Sequence, residues 1–326
     1  MRLLICSVIL SVWSLFPTAQ AQTFPVPGRS ITFIYGFPPG TPGDVYLRLM
    51  APRLSAALGV PVTVENRIGA TGNLSMEAVA RSAPDGHTVL LGTSAMLAIN
   101  PAIFPRMPVD AEKELASVMR IFDAPNVLTV SAVQRPQFTD CQALMSAIRA
   151  APGRLNYASS GIGASTHLAA AQFLQAAGLE MVHVPYRGGP PAMIALYQGD
   201  VDIFFYQSGT VLDDWRSGRV RILGITSAER HPQVPEIPTI AEACNLPGFV
   251  STTWHGLMVP AATPAATIER LRLEVAKVNE MPDIQSRLIN LGLTPLRGGP
   301  AEMRAAIAYD IPHWAEIVRR SGARME

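Results

Sequence analysis

Charge is scarce in this sequence and neither sign prevails: 26 Lys+Arg stand against 25 Asp+Glu, and charged residues fill 16% of 326 positions. So balanced a chain offers no basic field for nucleic acid or an anionic lipid surface. Only Lys113 and Lys277 are lysines, a bias to which no function attaches. Cysteine is nearly absent, and Cys6 lies in an N-terminal apolar run, which leaves Cys141 and Cys244. Two cysteines make no disulfide framework; they could pair in an oxidising compartment, but the reading adopted here is two separate buried thiols. Internal repeats, low-complexity tracts and blocks of like charge are missing, and a 48% hydrophobic content excludes disorder. No apolar run reaches the ~20 residues that span a bilayer.

Catalytic and metal patterns are missing as well. There is no G-x-S-x-G elbow, no H-E-x-x-H among the six histidines, no C-x-x-C and no phosphate-binding G-x-x-x-x-G-K-[ST] loop. Gly161-Ile162-Gly163 lacks the third glycine of a dinucleotide fingerprint. The sequence therefore predicts no enzyme, no cofactor and no metal.

What is present begins with a leader. Met1 and Arg2 precede an apolar run over 3–16, and Ala19-Gln20-Ala21 is a small-x-small sequence suited to cleavage before Gln22. Without Arg2 the remainder carries 25 basic and 25 acidic residues. The leader, 1–21, is read as an export signal. The remaining length suits two domains.

From residue 30 onward, short β-branched runs alternate with Ala/Leu-rich helical stretches, the pattern of an α/β protein on mostly parallel sheets. Strands are expected at 31–37, 61–66 and 87–93, then in a second series starting near 126 and ending at 220–226. A Pro-rich connection fills 231–248. The stretch 251–260 reads as extended, and the rest is helical, with Pro264, Pro282, Pro295, Pro300 and Pro312 as starts and breaks. So helical a tail must pack back on the first sheet. That gives one domain of 22–125 plus 250–326 and another of 126–249, with chain crossings near 124–127 and 227–253 and a cleft between them.

Four strand-to-helix loops carry the informative residues, because ligands of open parallel sheets bind at the carboxyl ends of strands. The first, 36–44, holds glycines and prolines at a helix start suited to an anion, with Asp44 expected as the N-cap. The second, 92–100, offers Thr93 and Ser94, either of which could cap the helix or donate to a ligand. The third, 157–169, concentrates Ser159, Ser160, Gly161, Gly163 and Ser165 just before a helix, and His167 follows. The fourth, 184–192, brings Arg187, which could form a bidentate pair with a carboxylate.

At this point the chain resembles a known family. The segments 37–44, 62–73, 83–101, 152–169, 182–192, 199–205, 226–243 and 252–264 are similar, in order, to those of the periplasmic solute-binding receptors of tripartite tricarboxylate transporters, the Bug receptors. The resemblance implies a type II periplasmic-binding-protein fold, the Venus flytrap: two doubly wound α/β domains, two crossings and a small organic carboxylate held in the cleft. It also implies a periplasmic location, a monomer, and delivery to transporter membrane subunits or a sensor kinase. By position it nominates Phe37, Pro39, Gly40 and Ser94 on one lobe, and Ser160, Gly161, Gly163, Ser165 and His167 on the other, with Gly188 behind. Backbone N–H groups and hydroxyls are expected to hold the carboxylate.

Departures from the family pattern refine this. Thr41-Pro42-Gly43 stiffens the first loop and removes an N–H at Pro42. Ile162 and Ala164 replace polar donors in the third. Tyr206 stands where family members that bind amino acids place Asp, so the expected ligand has no amine. With only Arg187 to neutralise further carboxylates, apolar or aromatic acids fit better than citrate-like polyanions. Two rivals remain: an exported hydrolase using Ser165 and His167, and a sensory or scaffold derivative that has lost its ligand.

Overall fold

A computed structural model describes residues 24–322, so the leader lies outside the described residues. Ten strands form one mixed sheet: β1 (Ile31–Tyr35), β2 (Val62–Asn66), β3 (Thr88–Thr93), β4 (Leu115–Ser131), β5 (Asn156–Ser159), β6 (Val182–Pro185), β7 (Ile203–Gln207), β8 (Val220–Ile225), β9 (Thr252–Pro260) and β10 (Thr294–Pro295). Their order is β2-β1-β3-β9-β4-β7-β5-β6, and β8 and β10 also pair with β4.

β4 organises the molecule. Its residues up to Pro125 pair with β9, whereas Asn126 onward pairs with β7 and Val127 onward with β8. Register shifts at Ser117/Met119, Arg120/Phe122 and Leu128/Thr129 mark irregularities that let so long a strand bend between the two halves. The expectation of mostly parallel sheets is corrected here. β1, β2 and β3 are parallel, as are β5, β6 and β7, but β4, β8, β9 and β10 join antiparallel. The first eleven residues of β4 were not anticipated, because their near-continuous burial leaves no period-2 alternation to read.

Helices follow local chemistry. Pro42–Leu58 ends at Gly59, whose φ of 70° makes the left-handed cap that a β-carbon disfavours. Asp140 caps Cys141–Ala150 through the Ala143 N–H, and Thr239 with Glu242 forms a capping box on Ile240–Ala243. Pro282 and Pro300 open helices as expected, but Pro312 lies inside Pro300–Ser321, where no break occurs. The tail packs on the first half: Leu271, Val275, Ile284 and Leu288 join the core of β1, and Met303 and Ile307 join that of β3 and β9. The second half has its own cores around Phe173 and Phe205, and around Leu196 and Phe204. A small cluster of Ile99, Ile103, Leu168 and Trp314 bridges the halves.

The two cysteines are not separate thiols. Cys141 and Cys244 form a disulfide across Cα atoms 5.2 Å apart. The start of the helix Cys141–Ala150 lies against the end of the short helix Ile240–Ala243 in one core, a proximity that sequence separation hides.

Candidate functional site

The first loop leaves β1 at Gly36, which is hemmed in: a β-carbon there would stand 2.6 Å from Gly72 Cα and Ser75 Oγ. Phe37 is half-buried with its ring 5.3 Å from Tyr35, and its carbonyl accepts from Asn66 Nδ2. Pro39 and Gly40 are exposed. Asp44 is not the N-cap; Thr41 takes that position, and Asp44, in the first turn, accepts the Gly40 N–H at 2.9 Å and pairs with Arg48. Burial alone would raise the Asp44 carboxyl, but the bonds from Arg48 and Gly40 outweigh it and hold it below its ordinary range.

Beside this loop runs a turn that sequence reasoning left without a role. Ala70 and Thr71 adopt φ of 45° and 53° between Gly69 and Gly72, and the Thr71 carbonyl accepts from Asn100. Left-handed non-glycine residues carry strain that often marks functional positions. The signal was available as Gly69 and Gly72 flanking a polar turn. In the second loop, Thr93 Oγ1 accepts the Met96 N–H, which leaves Ser94 Oγ fully buried with no protein partner. Ser94 leads into a π-turn, Ala95–Ile99, a feature common at functional sites.

In the second half the third and fourth loops are tied together. Tyr186 N–H donates to Ser159 O and Gly188 N–H to Ser160 O. Thr166 Oγ1 accepts the Ser160 N–H, Ser159 Oγ accepts that of Gly161, and His167 Nδ1 accepts that of Gly163. Ser165 is the first residue of its helix after the cap Ala164, so it stands inside the helix rather than before it. Gly188 caps Gly189–Gln198, and the half-buried Tyr206 ring packs so closely on Gly189 that a β-carbon there would overlap it. Arg187 is exposed and makes no ion pair among the described residues.

The amides of Gly40, Ser160, Gly161, Gly163 and Gly188 are therefore spent within the protein. Those bonds shape the loops. His167 adds a side-chain group beside them. Because Nδ1 accepts from Gly163, the neutral ring carries its proton on Nε2, and that buried atom has no protein partner. Burial, with the neighbouring His183, lowers its pKa to about 4, so the ring is neutral at ordinary pH. His183 stacks on it at 3.9 Å and is itself fixed by Ser159 Oγ at 2.7 Å.

Contact between the halves brings Ser94 and His167 onto neighbouring elements. A β-carbon on Gly163 would stand 2.6 Å from Ile103 Cδ1; Ile103 ends the segment that Ser94 begins, and Gly163 leads into the helix that carries His167. A cavity of about 180 Å³ also separates the halves, lined by Gly40, Pro125, Gln207 and Thr210 among others, with no charged side chain. No cluster that could hold a metal occurs among the described residues, and none of their helices is long and apolar enough to cross a membrane.

The family model for the tripartite tricarboxylate transporter family receptor matches residues 46–323. The chain belongs to that receptor family. Protein BugT of Bordetella pertussis is 32% identical over 325 residues, which cover 99% of this chain and 98% of BugT. A UPF0065 protein from the tcbD-tcbE intergenic region of Pseudomonas sp. strain P51 is 37% identical, over 90% of this chain and 86% of its own. Among solved structures, R. palustris Rpa4515 with adipate superposes with a TM-score of 0.77 at 30% identity, covering 92% and 99% of the two chains. MatC from Rhodopseudomonas palustris with bound malate gives 0.74 at 30% identity, covering 90% and 100%. The receptor family and these neighbours are binding proteins, and the fold is the type II binding-protein fold. The hydrolase reading falls with that, and His167 Nδ1 is in any case occupied by Gly163.

Proposed function

We propose that this receptor-family chain is exported to the periplasm, sheds residues 1–21 and acts as a monomer that captures a small organic carboxylate without an amine. Its lobes are 22–125 plus 250–326, and 126–249, joined by β4 and the return crossing before β9. The captured acid passes to the membrane subunits of a tripartite transporter or to a sensor kinase.

The observation that carries this reading is that, of eight buried side-chain polar atoms without protein partners among the described residues, Ser94 Oγ and His167 Nε2 belong to the candidate loops, one on each lobe. A buried donor left unpaired costs about 1–3 kcal/mol, so such groups point to an acceptor that arrives with a ligand. The adipate and malate of the related structures are acceptors of this kind. Arg48 is held by Asp44 and Arg67 by Glu65, whereas Arg187 on the fourth loop is free of ion pairs among the described residues and is the cation offered to a second carboxylate. The half-buried Tyr206 favours an apolar or aromatic remainder. Closure then selects the liganded state through fixed dipoles rather than full charges.

Native mass spectrometry of protein purified without refolding identifies retained ligand, and a calorimetric screen of organic acids, adipate and malate included, measures affinity. Tight binding of glutamate or aspartate would refute the exclusion of amines. Silence across the whole library would favour a derivative that keeps the fold without its ligand.

A further inference from the structure

We propose that Gly209 and Gly292 form the fulcrum on which the two lobes turn. This rests on the reading of two closing lobes given above, and concerns residues outside the candidate ligand loops. The helix Ser208–Arg216 begins directly after β7 in one lobe; in the other, the loop 291–293 links the helix Pro282–Asn290 to β10. A β-carbon on Gly209 would overlap the Leu291 carbonyl, and one on Gly292 would overlap the Gly209 N–H. Two backbones thus meet with no side chain between them. Ser208 Oγ pins the contact by donating to Gly292 O at 2.9 Å, and His231 Nε2 lies 3.3 Å from Leu293 O.

Position gives the contact its mechanical role. The same 180 Å³ cavity is bordered by Gly209 and Gly292, by Ala124 and Pro125 where β4 crosses, and by Gly40 of the first loop. The contact therefore stands between the hinge strand and a candidate ligand loop, on the cleft side. Bare glycines there allow the lobes to rock with little steric change, and any added bulk must wedge them apart. An opening bias at this point lowers apparent affinity by the fraction of closed molecules lost, without touching the ligand.

The test needs no ligand. Spin labels at Arg106→Cys and Glu180→Cys, exposed positions on opposite lobes, report the inter-lobe distance of the 22–326 chain, whose native cysteines are paired. Gly209→Ala, and likewise Gly292→Ala, should raise the population at longer distances about threefold or more. Gly178→Ala is the control: its φ of 62° imposes strain, but nothing lies near the new methyl group. An unchanged distribution in Gly209→Ala, with a melting temperature lowered as much as in the control, overturns the fulcrum. Should Gly209→Ala not fold, Ser208→Ala unpins the contact without adding bulk and should broaden the distribution about twofold; an unchanged width overturns the proposal equally. Either failure leaves the receptor reading to stand or fall on the organic-acid screen.

Discussion

His167 shows how one side chain can serve both a loop and a ligand. Its Nδ1 shapes the third loop and its Nε2 carries a proton with no protein acceptor, so His167→Phe keeps an aromatic ring against His183 and removes both functions. Carboxylate affinity should fall 10- to 100-fold by calorimetry, in line with about 1.5–3 kcal/mol for a hydrogen bond to a charged group. The same residue sets a pH dependence. The folded pKa values of His167 and His255 are lowered to about 4, His167 by burial and then His183, His255 by burial. Both lie below the unfolded value of about 6.5, so the unfolded chain binds more protons between those limits. Stability is complete above about pH 6.5 and is lost as pH falls toward 4, by on the order of 2–3 kcal/mol per residue. Thermal melts from pH 7 to 4 should show the decline, and His167→Phe should lessen it while the His255 share remains. Tyr206→Asp should in turn admit an amine, seen as new binding of glutamate or aspartate.

At the scale of elements, loops of the first lobe are held by close approach rather than by many bonds. Gly36 has Gly72, Ser75 and the Met96 methyl group within 2.7 Å of where a β-carbon would stand, and its backbone is not left-handed. Gly36→Ala is therefore a pure overpacking test, with an expected loss of about 1–3 kcal/mol and a melting point several degrees lower. Elements bounded by strong local signals, such as β2 and β8, fall within the ranges read from sequence. Elements shaped by long-range pairing escaped it: β4 is set by partners on both sides, and Pro312 is tolerated within a helix whose buried face packs on β4 and the Ser94 segment.

For the whole molecule the disulfide matters most. It closes a loop of 103 residues within the second lobe, for which chain entropy gives about 4–5 kcal/mol, an upper figure against a common 2–4. The double variant Cys141→Ser/Cys244→Ser should unfold at lower denaturant with carboxylate binding retained, because neither cysteine lies on a candidate loop. Ligand-driven closure should reduce the radius of gyration in solution scattering.

Sequence by itself determined much of the alternation of strands and helices and the presence of a helix after each of the four loops, because these depend on near neighbours and residue type. The family was legible too, in ordered segments along the chain. Tertiary structure decided the rest. Which N–H groups are spent depends on where Thr166, His167 and Asp44 turn their side chains, and the meeting of Cys141 with Cys244, or of Gly209 with Gly292, depends on packing between distant segments. No local pattern encodes those distances, since each is the sum of many contacts along a folded path.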